Sequence, residues 1–95
     1  MTVVRRFRVH GRVQGVGFRA FVQREATMLN VGGWVRNRSD GTVEALVWGD
    51  AEVVETLGKR IKQGPRWGRV DRLAANDELE HGDAPSGFVI RSDHG

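Results

Sequence analysis

The hydrophobic pattern changes period several times along the chain. Residues 3 to 10 alternate, with Phe7 and Val9 on one side and Arg6, Arg8 and His10 on the other. A period of two predicts a strand with one covered face and one wet face. From about Phe18 to Leu29 the spacing becomes helical, with Phe18, Phe21, Val22, Met28 and Leu29 on one stripe. Gly32-Gly33, after Asn30-Val31, reads as its stop. Trp34 to Arg38 is a second strand and Thr42 to Trp48 the returning one, with Val43, Ala45 and Val47 on one face. Ser39-Asp40-Gly41 between them is turn chemistry, Gly41 being available for positive φ, so the pair is a hairpin. Asp50 is suited to N-cap a second helix running to about Lys62, with Val53, Val54, Leu57 and Ile61 as its apolar stripe. Lys59, Arg60 and Lys62 fall in its last turns, where positive charge suits the dipole, and Gly64-Pro65 ends it. A strand from about Gly68 to Ala75 follows, with Val70 and Leu73 as core candidates. Asn76 to Gly87 is polar and loop-like, and Phe88 to Arg91 is a short final strand.

The order strand, helix, strand, strand, helix, strand, with a short strand appended, is that of an α+β, ferredoxin-like split-βαβ sandwich. It predicts an antiparallel sheet with two helices on one face, and one domain over residues 1–95. Such a topology hosts many functions, so function has to come from the site.

Composition narrows the classes. The chain has 95 residues, of which 39% are hydrophobic, enough for a single two-layer core. No apolar run is long enough to span a membrane. Met1 to Arg6 leads directly into a strand pattern without the apolar region of a secretory signal. Cysteine is absent, which removes disulfides and thiolate chemistry. A cytoplasmic monomer is the expectation. The net charge of +3 is compatible with a polyanionic partner. However, the only lysines are Lys59 and Lys62, and the arginines are scattered from Arg5 to Arg91 among nearly as many carboxylates. No dedicated, specific nucleic-acid face is expected.

The chemistry is concentrated in Gly11-Arg12-Val13-Gln14-Gly15-Val16-Gly17-Phe18-Arg19. A strand ends, a loop with three glycines turns, and a helix begins. Glycines let successive N–H groups converge, and the first N–H groups of a helix are unpaired at its positive end. Together they suit a phosphate, whose oxygens the planar fork of Arg19 can grip in pairs. The glycine spacing fits neither Gly-x-x-x-x-Gly-Lys-Ser/Thr nor Gly-x-Gly-x-x-Gly. On spacing alone, a glycine-rich turn with a solvated Arg19 is the simpler account, as a turn residue is for Asn37.

The residues themselves say more. Gly11-x-Val13-Gln14-Gly15-Val16-x-Phe18-Arg19 resembles the signature of the acylphosphatase family. Gly33-Trp34-Val35-Arg36-Asn37, followed by Asp40-Gly41-Thr42-Val43-Glu44, resembles the family's second block at its usual separation. The likeness spans nearly the whole chain. It implies hydrolysis of acyl phosphates, with Arg19 binding the phosphate and Asn37 orienting the attacking water. It also implies that Gln14, Gly15, Val16, Gly17 and Phe18 form a loop offering backbone N–H groups. The chain departs from the family at Gly17, where a larger residue is common, over Gly64 to Val70, and in the non-aromatic tail Ser92 to Gly95. Trp34 is read as packing. Arg36 and Arg38 are either solvated or help to draw anions in.

Neither a cofactor nor a metal is expected. His10, His81 and His94 lack ligand spacing and are read as solvent-facing. An acyl phosphate does not need more, because its carboxylate leaving group, with a conjugate-acid pKa of about 4, departs without a general acid. Inorganic phosphate is the expected competing ligand. Two other readings stay open. One is a basic nucleic-acid-binding module of the same topology, although the outward positions of the first strand carry no Phe or Tyr for base stacking. The other is a carbamoyl-phosphate-handling domain of a larger maturation enzyme.

Overall fold

The computed structural model describes residues 1–79 and 82–92. Within it the chain forms β1 (Thr2–Arg12), α1 (Phe18–Met28), β2 (Gly32–Asn37), β3 (Val43–Asp50), α2 (Ala51–Gln63), β4 (Arg69–Asp77) and β5 (Phe88–Ile90). His81, His94 and most of the C-terminal tail lie outside the described residues. Among the described residues no helix is long and apolar enough to cross a membrane.

The five strands lie in the order β4-β1-β3-β2-β5. β1 pairs antiparallel with β3 and β4, and β2 with β3, as expected. β5 runs parallel to β2, which makes the sheet mixed rather than purely antiparallel. The reason is the connection. β5 is reached from β4 at the opposite edge, so no hairpin dictates its direction.

One core joins the inner face of the sheet to both helices. Phe7, Val9, Val35, Val43, Ala45 and Val47 meet Phe18, Val22 and Ala26 of α1, and Val54, Leu57 and Ile61 of α2. The α1 stripe is an i, i+4 stack from Phe18 through Val22 to Ala26. Met28 lies off that stack and is exposed, contrary to expectation. Val53 is only partly buried against the core. Asp50 caps α2 as expected, its Oδ1 accepting the Glu52 N–H at 3.1 Å.

Asn30, rather than Gly32-Gly33, ends α1. Asn30 takes φ 61. Its N–H donates to the Thr27 carbonyl at 3.0 Å, and that of Val31 to the Ala26 carbonyl at 3.1 Å. That pair of bonds satisfies two of the helix's last carbonyls. Gly33 answers a different need, since a Cβ there would lie 2.0 Å from the Leu46 carbonyl oxygen on the neighbouring strand. Val70 and Leu73, three residues apart, both pack on the core. A bulge makes this possible: Gly11 pairs with Val70 and His10 with Arg72, leaving Asp71 as the extra residue that resets the alternation.

The outer face of the sheet is organised around one carboxylate. Glu44 is 2% exposed. It accepts hydrogen bonds from Arg6, from Arg36 Nε at 2.9 Å and from Arg38 Nη1 at 3.0 Å. Arg8 lies 3.8 Å away. Arg36 and Arg38 are thus neither solvated nor free to gather anions. Trp34 packs on this outer face, with the guanidiniums of Arg91 and Arg36 at 4.7 and 5.1 Å from its ring centre. Burial by itself would raise the Glu44 pKa, but the hydrogen bonds from Arg36, Arg6 and Arg38 outweigh it and hold the group at about 2, against an ordinary 4.5.

Because the folded-state pKa is depressed, the stabilisation from Glu44 is complete above pH 4.5 and is lost as pH falls towards 2. Its size is on the order of 3 kcal/mol. Urea midpoints measured across that window should therefore fall less steeply for Glu44→Gln than for the wild type. At neutral pH the variant, with its arginines left uncompensated, should be less stable by about 3 kcal/mol. Parallel pH profiles for the two proteins would remove Glu44 from its place as the hub of this face.

Candidate active site

Residues 13–17 carry the chain from the end of β1 into the first turn of α1. Gly15 and Gly17 take φ 75 and 77. A Cβ at either would meet nothing within 4 Å, so the backbone conformation and not crowding calls for glycine. Gly17 is the N-cap of α1. It offers no side-chain cap, and the first turn contains no acidic residue. The Phe21 N–H donates to the Gly17 carbonyl at 3.1 Å. By helix geometry the N–H groups of residues 18–20 have no partner of their own in the helix. α2 is built the other way, with Asp50 as cap and Glu52 in its first turn. The positive end of α1 is thus left unneutralised by any carboxylate of its own first turn, a setting that favours an anion.

Gln14 fixes where this loop sits. Its Nε2 donates to the carbonyls of Arg38 at 2.7 Å and Thr42 at 2.9 Å, both in the β2–β3 turn. The loop is therefore tied to the hairpin that carries Asn37. Asn37 itself is not a turn residue. It is the last residue of β2, paired with Val43. The turn is closed by the Arg38 N–H to the Thr42 carbonyl at 2.9 Å and by Asp40, whose Oδ1 accepts from the Thr42 N–H and hydroxyl at 3.0 and 2.6 Å.

These pieces enclose a cavity of about 200 Å³ whose wall includes Gly15, Gly17, Phe18, Arg19 and Asn37. Among the described residues Arg19 is the only charged side chain on that wall. Asn37 Oδ1 is buried without a hydrogen-bond partner. Such an acceptor costs about 1–3 kcal/mol if it stays unpaired. A half-turn of the amide exchanges its oxygen and nitrogen, so the group can offer a bound water either an acceptor or a donor.

Two of the expected site residues do not line the cavity. Gln14 is committed to the hairpin, and Val16 is partly buried against the core. Three others do line it that were not singled out from the sequence: Val13, Ala20 and Ile90. Val13 and Ala20 flank the glycine loop, so proximity in sequence could have suggested them. Ile90 is brought in by the parallel register of β5, Val35 opposite Ile90, which no local pattern specifies. His10 stands apart, its Nε2 3.1 Å from Arg72 Nη2. Among the described residues no group of three or more His, Cys, Asp or Glu side chains could hold a metal ion.

Comparison with known proteins gives the family and the fold. Residues 5–90 match the family model described as Acylphosphatase. The chain is 54% identical over 72 residues to an acylphosphatase of Rhodopseudomonas palustris, an alignment covering 76% of this chain and 73% of that one. Its fold superposes on the crystal structure of acylphosphatase from Bacillus subtilis with a TM-score of 0.89 at 36% identity, covering 94% of this chain and 98% of the other. A similar unit occurs in full-length HypF, with a TM-score of 0.87 at 29% identity over 99% of this chain and 12% of that one.

If the tie from Gln14 sets the distance between loop and hairpin, Gln14→Ala should lose about 1–2 kcal/mol of stability and bind inorganic phosphate more weakly. Gln14→Glu should do no better, because a carboxylate cannot donate to two carbonyls. Titration of phosphate against both folded variants checks this, and wild-type phosphate affinity in both would show that the loop holds its place unaided.

Proposed function

The chain belongs to the acylphosphatase family and hydrolyses acyl phosphates to a carboxylate and inorganic phosphate, and on that premise we propose how its residues divide the task. Arg19 and the N–H groups of the loop from Gln14 to Phe18, continuing into the first turn of α1, hold the phosphoryl group. Asn37 holds the water that attacks phosphorus from the side opposite the leaving carboxylate. The observation that carries this reading is the single cavity that joins the positive end of α1, the Arg19 side chain and the buried, partnerless Asn37 oxygen.

The chemistry fits so small a site. Water forms a bond to phosphorus while the bond from phosphorus to the acyl oxygen breaks, and the electron pair leaves with the carboxylate. That leaving group is stable as an anion, so no side chain has to protonate it. The proton of the water passes to a phosphoryl oxygen, so no protein base is required. What remains is to offset charge on the phosphoryl oxygens and to align the water, and preorganised donors supply both. The proposal also takes residues 1–95 as one domain, the enzyme as a metal-independent monomer, and its location as the cytoplasm. Support for one domain comes from the single core shared by β1, β2, β3 and both helices. The nucleic-acid reading lacks support: Trp34 is covered by guanidiniums and the arginines around Glu44 are engaged in ion pairs.

The division of labour is testable by kinetics with benzoyl phosphate in the presence of EDTA, with inorganic phosphate as inhibitor. Turnover should persist under chelation, and phosphate should compete. Arg19→Ala should lose at least ~10²–10³ in kcat/KM and weaken phosphate inhibition, and Arg19→Lys should recover little because an ammonium cannot reproduce the fork. Asn37→Ala should lower kcat by about a hundredfold or more while changing KM and phosphate inhibition much less. A folded Asn37→Ala that turns over like the wild type would assign the water to another group.

A further inference from the structure

The site described so far accounts for the phosphoryl half of the substrate and leaves part of the cavity wall unused. That part is apolar. Val13, Ala20 and Ile90 share the cavity with Arg19 and Asn37. Val13 is buried, whereas Ile90 is 40% exposed. Ile90 is the last residue of β5, next to β2 in the register that places it opposite Val35, two residues before Asn37. Its position is fixed from several directions. Phe88 is buried in the core, its carbonyl accepts from Gln23 Nε2 of α1 at 3.2 Å, and the Arg91 N–H donates to the Val35 carbonyl at 2.9 Å. A large aliphatic side chain on a pinned backbone, half open to a cavity, is a ready contact surface for an apolar ligand group.

Resting on the assignment of the phosphoryl group to Arg19 and the loop, we propose that Ile90, with Val13 and Ala20, forms the subsite for the acyl group. The substrate class this selects is acyl phosphates whose acyl part is small, apolar and uncharged, such as a short branched chain or a single aromatic ring. Two observations set the limits of that class. The cavity, at about 200 Å³, is smaller than the ~300–1,000 Å³ of pockets that enclose drug-sized ligands, so a long acyl chain does not fit within it. Among the described residues Arg19 is the one charged side chain on the wall and is committed to the phosphoryl oxygens, so a second anionic group on the acyl part meets no other cation of the described wall. Desolvating such a group unpaired is unfavourable.

Subsite and phosphate site can be read separately. The measurement is kcat/KM for benzoyl phosphate, isobutyryl phosphate, acetyl phosphate and succinyl phosphate, with the inhibition constant of inorganic phosphate taken on the same preparations. Wild type against Ile90→Ala cancels the intrinsic reactivity of each acyl phosphate. Ile90→Ala should lower kcat/KM for the benzoyl and isobutyryl substrates about tenfold, within the range that a few methylenes command in an apolar pocket. Acetyl and succinyl phosphate should lose markedly less, and phosphate inhibition should shift by less than twofold. Ile90→Val, which keeps the branch at Cβ and β propensity, should fall between the two and guards against an effect of misfolding. Equal losses on all four substrates, or an unchanged benzoyl-to-acetyl ratio in a folded Ile90→Ala, would overturn the subsite. Neither result bears on Arg19, because failure of the phosphate assignment would appear instead as normal turnover and phosphate inhibition in Arg19→Ala.

Discussion

Two hydrogen bonds from a single side-chain amide make one site out of two distant pieces of chain. The glycine loop lies between β1 and α1, and Asn37 stands at the end of β2. Gln14 Nε2 bridges them by donating to Arg38 and Thr42 carbonyls that flank the hairpin turn. Each acceptor also takes a backbone N–H within the turn, from Gly41 to Arg38 and from Arg38 to Thr42, and both lie beside Asp40, which closes the turn through Thr42. The spacing between the proposed phosphoryl cradle and the proposed water site is therefore set by a polar contact with a fixed length. Hydrophobic packing alone gives a less exact spacing, because it is non-directional.

The outer face of the sheet serves the same end from the other side. Glu44 sits on β3 opposite Arg8 of β1 and Arg36 of β2, and it binds arginines from both neighbours. A carboxylate buried there would be unfavourable alone, and guanidiniums crowded there would repel one another. Each charge is tolerated because of the other, so the network specifies register across three strands. The strand that ends in Asn37 is thus held on one face by Val35 in the core and on the other by Arg36 and Arg38 on Glu44. With the carboxylate ionised well below neutral pH, this clamp is not modulated in the physiological range.

What could be read from the sequence follows from how local each cause is. The helices, the hairpin and the Asp50 cap depend on residues within a turn or two of each other, and all appear where the periodicity placed them. Val70 and Leu73 could be named as core residues, but the bulge at Asp71 that reconciles them with a strand is visible only in the pairing with β1. The expectation of an antiparallel sheet holds for β1 to β4, whereas the parallel direction of β5 has no local signal, since β5 follows β4 from the opposite sheet edge. The site shows the same division. Arg19, Asn37 and the glycines stand in two contiguous blocks and could be named in advance, as could the loop's backbone. Gln14 was named with them, yet its side chain serves the hairpin, and Glu44 was part of a quoted block without any assigned role. Both act through contacts more than 20 positions away or across strands, where no spacing rule applies.

The economy of the site has a physical origin in its substrate class. Enzymes acting on phosphate monoesters have to stabilise an alkoxide leaving group, which calls for an acid or a metal. An acyl phosphate carries its own good leaving group, so the demand on the protein is reduced to geometry and fixed positive potential. On the proposed assignment little beyond backbone is needed: two left-handed glycines, a helix N-terminus without a carboxylate and a strand end, with the Arg19 and Asn37 side chains added. A 95-residue chain has little core to spare for strained or partnerless groups. Among the described residues, the partnerless polar atom at the site is that of Asn37, and the left-handed backbone there is that of Gly15 and Gly17, where it carries no side-chain penalty. Selectivity then has to come from a part of the cavity that adds no charge, and the apolar wall ending in Ile90 is the part left to supply it.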